Sequence, residues 1–147
     1  MPQYRRVKAF RLWRRRYMGG TTDFIRDLWR MPSTVRAWLM VLGISNMMIP
    51  LLLIRHIEAK IMLLCTILGF IIGVQMHKRK GMTRILGLMH LPWLFAIFFL
   101  IKAIITRGVF DLYGLWMVMA LLLISISLTI DIRDATRYYS GETDSII

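Results

Sequence analysis

The densest run of side chains able to do chemistry lies near the end of the chain, in Asp131-Ile-Arg133-Asp134-Ala-Thr-Arg137-Tyr138-Tyr139. On a helix Asp131 and Asp134 share a face at i, i+3. Asp134 reaches Arg137 at the same spacing, and Tyr138 lies one turn beyond Asp134. Two carboxylates on one face at a membrane surface are the donors that would hold Mg²⁺ against a phosphate headgroup. The preferred reading is electrostatic instead. Two acids on a strongly basic surface would clamp the 77–84 connection or the basic segment of a partner. Exposed ion pairs contribute little on their own, so buried contacts would have to carry such an interface.

His90 stands inside an apolar run, six residues after Arg84 and just before Pro92 and Trp93. By helical rise that is about 9 Å inside the boundary. An ionisable side chain at that depth is a functional candidate. Its readings are a neutral packing histidine, a proton or quinone site, or half of a bis-histidine haem with His77. A haem needs two imidazoles at matching depth. His77 is expected at the boundary and His56 at the other end, so no cofactor and no metal is expected.

Asn46 is the other intramembrane polar candidate. It lies in Gly43-Ile-Ser45-Asn46, four residues before Pro50. Proline 50 has no N–H to offer the carbonyl of residue 46, which loosens that turn. Asn46 and Ser45 are expected to satisfy the freed groups or to bond to a neighbouring helix. Pro92 frees the carbonyl of Leu88 in the same way. Gly69 and Gly73 form a GxxxG that permits close helix approach, either within the chain or toward another subunit. The lone Cys65 can form neither an intramolecular disulfide nor a structural zinc site and is read as a packing residue.

These residues must be held by elements that the composition already defines. Of 147 residues 57% are apolar, yet the formal net charge is +12. The two figures are compatible because charge and apolar residues are segregated along the chain. A soluble fold is excluded, since one core of this size cannot bury such long apolar runs. Disorder is excluded by the same composition. The expected class is an all-α membrane protein with four antiparallel transmembrane helices and an amino-terminal basic amphipathic interfacial arm. The arm covers residues 1–33, the bundle 34–139 with spans at about 37–54, 61–76, 85–105 and 112–130, and a tail 140–147. The second span is the shortest, with Lys60 and His77 snorkelling at its ends.

Lysine and arginine orient the bundle. Ten lie in residues 1–36, four in the 77–84 connection and two beyond the fourth span (Arg133 and Arg137). The opposite side has only Arg55, Lys60, Lys102 and Arg107. The bias puts both termini in the cytoplasm. No secretory signal is visible, because the first apolar run begins near residue 37 without a cleavage site after it. The first twenty residues have the composition of a mitochondrial presequence, but Met1 is taken to be retained. A bacterial inner (plasma) membrane is therefore preferred to the mitochondrial inner membrane.

Within the arm, Val7, Phe10, Trp13 and Tyr17 share one helical face, surrounded by arginines, until Gly19–Gly20. A second piece starts with Thr22 as N-cap, presents Phe24, Ile25, Leu28 and Trp29, and stops at Pro32; Ser33 or Thr34 then caps the first span. The arm would anchor on anionic lipid headgroups or dock against another protein. No nucleic-acid module accompanies the charge. No Walker loop, HExxH, CxxC or GxSxG is present, so no enzyme is expected. The functional expectation is a non-catalytic accessory subunit of a larger inner-membrane complex, docking through its helices, arm and tail. The alternative is a small transporter or channel component with Asn46 and His90 lining the path.

Overall fold

Proline and glycine set most of the boundaries. The computed structural model describes residues 20–142. They form α1 (Thr21–Arg30), α2 (Ser33–Leu52), α3 (Ile57–Lys80), a 3-10 segment (Arg84–His90), α4 (Trp93–Arg107) and α5 (Leu112–Tyr139). No strand occurs among the described residues. Phe10, Trp13 and Tyr17, and the tail from 143 on, lie outside them.

Three helices, α2, α3 and α5, are long and apolar enough to cross a membrane, with mean hydropathies of 1.6, 2.1 and 2.2. The 3-10 segment and α4 meet the same test only as a pair, bent by 42°. Three to four such helices are consistent with a multi-pass membrane protein. Where one continuous helix is expected over 85–105, the chain forms two helical pieces that bend at Pro92. Pro92 cannot donate to the carbonyl of Leu88. That carbonyl is taken instead by the N–H of Leu91 at 3.2 Å, the tighter i to i+3 pattern.

Pro50 has a different effect in α2. The chain widens into a π-helical turn over Ile44–Met48 just ahead of it. The carbonyl of Asn46 accepts from Thr66 Oγ1 of α3 at 3.1 Å, and that of Ser45 from Trp116 Nε1 of α5 at 2.9 Å. Neighbouring helices thus satisfy the loosened turn through its backbone. The side chains of Ser45 and Asn46 were expected to do so. They are instead fully buried with no hydrogen-bond partner among the described residues.

Helix ends differ in detail. The first described helix begins at Thr21, behind Gly20 and without a side-chain cap, rather than at a Thr22 cap. The second begins at Ser33 behind Pro32, again uncapped. Asp111 caps α5 by accepting from the N–H of Gly114 at 2.7 Å. That helix continues nine residues past the expected span to Tyr139, where Ser140 and Gly141 end it as their types predict.

The main core joins α2 to α5 through Leu42, Met62, Leu100, Met117 and Ile124. Ala59, Ala96, Ala103 and Ala120 keep the backbones close. A second cluster packs Phe24 and Met31 against Val74, Met82 and Leu86. Two expected interface features are used up here. Phe24 is fully buried against α3 and does not face outward. A Cβ on Gly69 would sit 2.6 Å from the carbonyl oxygen of Met89, and one on Gly73 3.3 Å from the Phe24 ring. The glycine pair is an internal notch for α1 and the 3-10 segment. Leu28 is half-buried beside it. Ile25 and Trp29 of α1, 42% and 59% exposed, face outward.

Candidate functional site

The break at Pro92 shapes the site. His90 closes the 3-10 segment, and Gly87 stands one turn before it. A Cβ at Gly87 would lie 2.5 Å from Asp131 Oδ1. The missing side chain lets Asp131 of α5 approach, and its Oδ2 lies 2.6 Å from His90 Nδ1. The His90 side chain is 11% exposed. Its ring stacks on Trp93 with centroids 4.3 Å apart. Trp93 Nε1 donates to Thr66 Oγ1 at 3.2 Å, and that hydroxyl donates to the carbonyl of Asn46 at 3.1 Å. The two polar candidates, His90 and Asn46, are thereby linked through Trp93 and Thr66.

Thr66 holds both Trp93 and the π-turn. Thr66→Val keeps the shape and removes both bonds, leaving an indole N–H and a carbonyl unpaired. The expected loss is about 1–3 kcal/mol, read as a lower Tm in detergent; an unchanged Tm would mean that neither bond contributes.

The terminal charge cluster is divided between two tasks. Asp131 points inward to His90. Asp134 pairs with Arg84 at 3.5 Å, the expected clamp on the 77–84 connection. Its expected partner, Arg137, turns instead to Glu142 at 2.7 Å, because the positive φ of Gly141 folds the chain back. Glu142 also touches Arg84 at 3.4 Å. Arg133 is exposed, and Tyr138 rests edge-on against Tyr139. The two aspartates therefore do not converge on a shared cation. Among the described residues no group of three or more His, Cys, Asp or Glu is arranged to hold a metal.

Hydrogen bonding from Arg137 holds the Glu142 carboxyl below the usual carboxylate range. A depressed folded value means the contact is fully present above the ordinary glutamate range and is lost as pH falls through the folded value. Arg137→Gln is expected to move the Glu142 midpoint upward in an NMR titration. An unmoved midpoint would remove Arg137 as the cause.

His77 Nε2 is engaged by Asp27 of α1 at 3.0 Å, while His90 is engaged by Asp131. Each imidazole serves a different carboxylate on a different helix. His56 is elsewhere again, stacked on Tyr113 at 3.9 Å. Beside it Tyr113 donates to Glu58 Oε2 at 2.6 Å, a buried pair that joins the starts of α3 and α5. Sequence reasoning missed Glu58. Its signal was an acid at the mouth of an apolar run.

Two cavities meet at His90. One, of about 460 Å³, is lined by Trp38, Thr83, Arg84, Ser127, Asp131 and Asp134, among others. The other, of about 320 Å³, is almost wholly apolar, with Met47, Ile67, Phe70 and Trp93. Leu28, Leu39, Leu42, Met89 and His90 belong to both. Of the His90 ring, Nδ1 is the nitrogen held by Asp131. No protein-family model, no characterised protein and no solved structure matches this chain. Its function has to be argued from this chemistry. A mainly apolar chamber with one charged wall, opening into an almost wholly apolar one, with an imidazole–carboxylate pair at the junction, can hold a molecule that has a polar head and an apolar tail.

Proposed function

We propose that this chain binds a membrane-soluble amphiphile in the joined cavities, as a four-span protein of a bacterial inner membrane with both termini in the cytoplasm. The observation that carries this reading is the His90–Asp131 pair at the junction. Burying two ionisable groups there is unfavourable unless they have a task, and ionisable groups at membrane depth usually have one. The task fits binding better than catalysis, since Asp131 and Asp134 already have an imidazole and a guanidinium partner. Leu39 belongs to both chambers and is half-buried. Leu39→Trp is expected to plug the junction. Native mass spectrometry of the full chain after gentle extraction should show a retained amphiphile, lost by about tenfold or more in this variant. A wild-type chain that carries nothing would sink the proposal.

The accessory-subunit reading is second, favoured by the outward Trp29 with exposed Arg26 and Arg30 on α1. Such a ridge suits anionic lipid headgroups or a larger membrane complex. The same spectra would reveal a stoichiometric protein partner.

A further inference from the structure

We infer that the amphiphile is a phospholipid whose head carries a primary ammonium group, such as phosphatidylethanolamine; this rests on the binding reading above. Charge in the larger chamber is the first ground. Asp131 and Asp134 line it against a single guanidinium, that of Arg84. Glu142 also approaches Arg84, but its charge is balanced by Arg137. A head carrying only negative charge would meet like charges in a poorly screened setting. A zwitterionic head matches both signs.

An unpartnered hydroxyl is the second ground. Thr83 is 7% exposed, lines the chamber next to Arg84, and its Oγ1 has no hydrogen-bond partner among the described residues. Buried polar atoms are almost always paired, so an orphan facing a cavity marks a place for a ligand atom. Arg84 meets Asp134 and Glu142 at 3.5 and 3.4 Å, longer than tight charge-assisted bonds, and so keeps donors free. Thr83 and Arg84 together suit a phosphate oxygen. The ammonium then falls to the carboxylates, with His90 Nε2 as a further acceptor when the imidazole is neutral.

The tail follows from the second chamber. Met47, Ile67 and Phe70 line it, yet each is more than one-third exposed. The chamber therefore opens sideways between α2 and α3, where acyl chains can leave toward the bilayer. Above it, Phe24 and Leu28 of α1 form the cover.

The test uses the delipidated full chain in detergent, offered equal amounts of phosphatidylethanolamine, phosphatidylglycerol and phosphatidylcholine with identical chains. Bound lipid is read by native mass spectrometry. Phosphatidylethanolamine should be retained about tenfold over phosphatidylglycerol, and also over phosphatidylcholine, whose quaternary head has no N–H to donate. Asp134→Asn, a nearly isosteric change at a partly exposed position, should reduce the preference over phosphatidylglycerol about fivefold, with an unchanged Tm confirming that the fold is kept. Glycerophosphoethanolamine, a head without tails, should not displace the lipid. Equal retention of all three lipids, or a preference for phosphatidylglycerol, would overturn the head assignment and leave the cavity reading intact. Displacement by the tail-less head would overturn the lipid as source. An empty cavity with every lipid and in the freshly extracted protein would bring down both.

Discussion

Replacing Asp131 by leucine is expected to destabilise the folded chain by about 3 kcal/mol, whereas replacing Asp131 and His90 together by leucine should cost less than that single change. The asymmetry follows from burial. His90 and Asp131 side chains are only 11% and 15% exposed, and their contact is 2.6 Å. Removing the carboxylate leaves an imidazole N–H in an apolar wall with no acceptor. Removing both partners leaves apolar groups that repack. Asp131→Asn should be the mildest change, because its amide oxygen still accepts from Nδ1. A double-mutant cycle in detergent, followed by thermal unfolding, measures the coupling directly. The binding readout should behave differently from stability: the double variant is expected to be stable and yet to lose the ligand. If the double variant is less stable than either single one, the pair is structural and the argument for a site at this junction loses its support.

Gly69→Ala is expected to lower stability by about 1–3 kcal/mol, although it adds only one methyl group. The new carbon would fall 2.6 Å from the Met89 carbonyl oxygen, and backbone cannot swing aside. The 3-10 segment would have to move away from α3 and carry His90 with it. Two other glycines provide the controls. At Gly73 the closest atom is the Met89 sulfur, the end of a flexible side chain, so Gly73→Ala should cost less. At Gly43 no heavy atom lies within 4 Å of the added carbon. There the helical preference of alanine should add about 0.5–1 kcal/mol. Tm should therefore fall in the order Gly43→Ala, wild type, Gly73→Ala, Gly69→Ala. A Gly69→Ala protein with the wild-type Tm would show that the close approach is relaxed in solution.

Much of this was legible in the residues. Pro50 announced that the carbonyl of Asn46 would need another donor, and Pro92 announced trouble at Leu88. What filled the gap could not be read locally. A freed carbonyl can recruit a neighbouring helix, as Thr66 does for Asn46, or tighten its own turn, as Leu91 does for Leu88. The choice depends on whether a donor lies across the gap, which is a property of packing. The glycine pair was equally ambiguous. Its spacing signals close approach, but only the positions of Met89 and Phe24 decide that the approach is internal.

The sequence by itself determined the helical class and the apolar spans, because long apolar runs must satisfy their backbone groups internally and helices do this locally. It also singled out Asp131, Asp134, His90 and Asn46, since polar groups stand out against an apolar background. Only the tertiary structure decided their pairing. Asp131 and Asp134 lie one turn apart, yet one meets His90 and the other Arg84, contacts that span 41 and 50 residues. Those partners depend on the 42° bend and on the missing side chain at Gly87. Long-range electrostatics follow from where the backbones pass one another, and that distance is set by packing rather than by spacing along the chain.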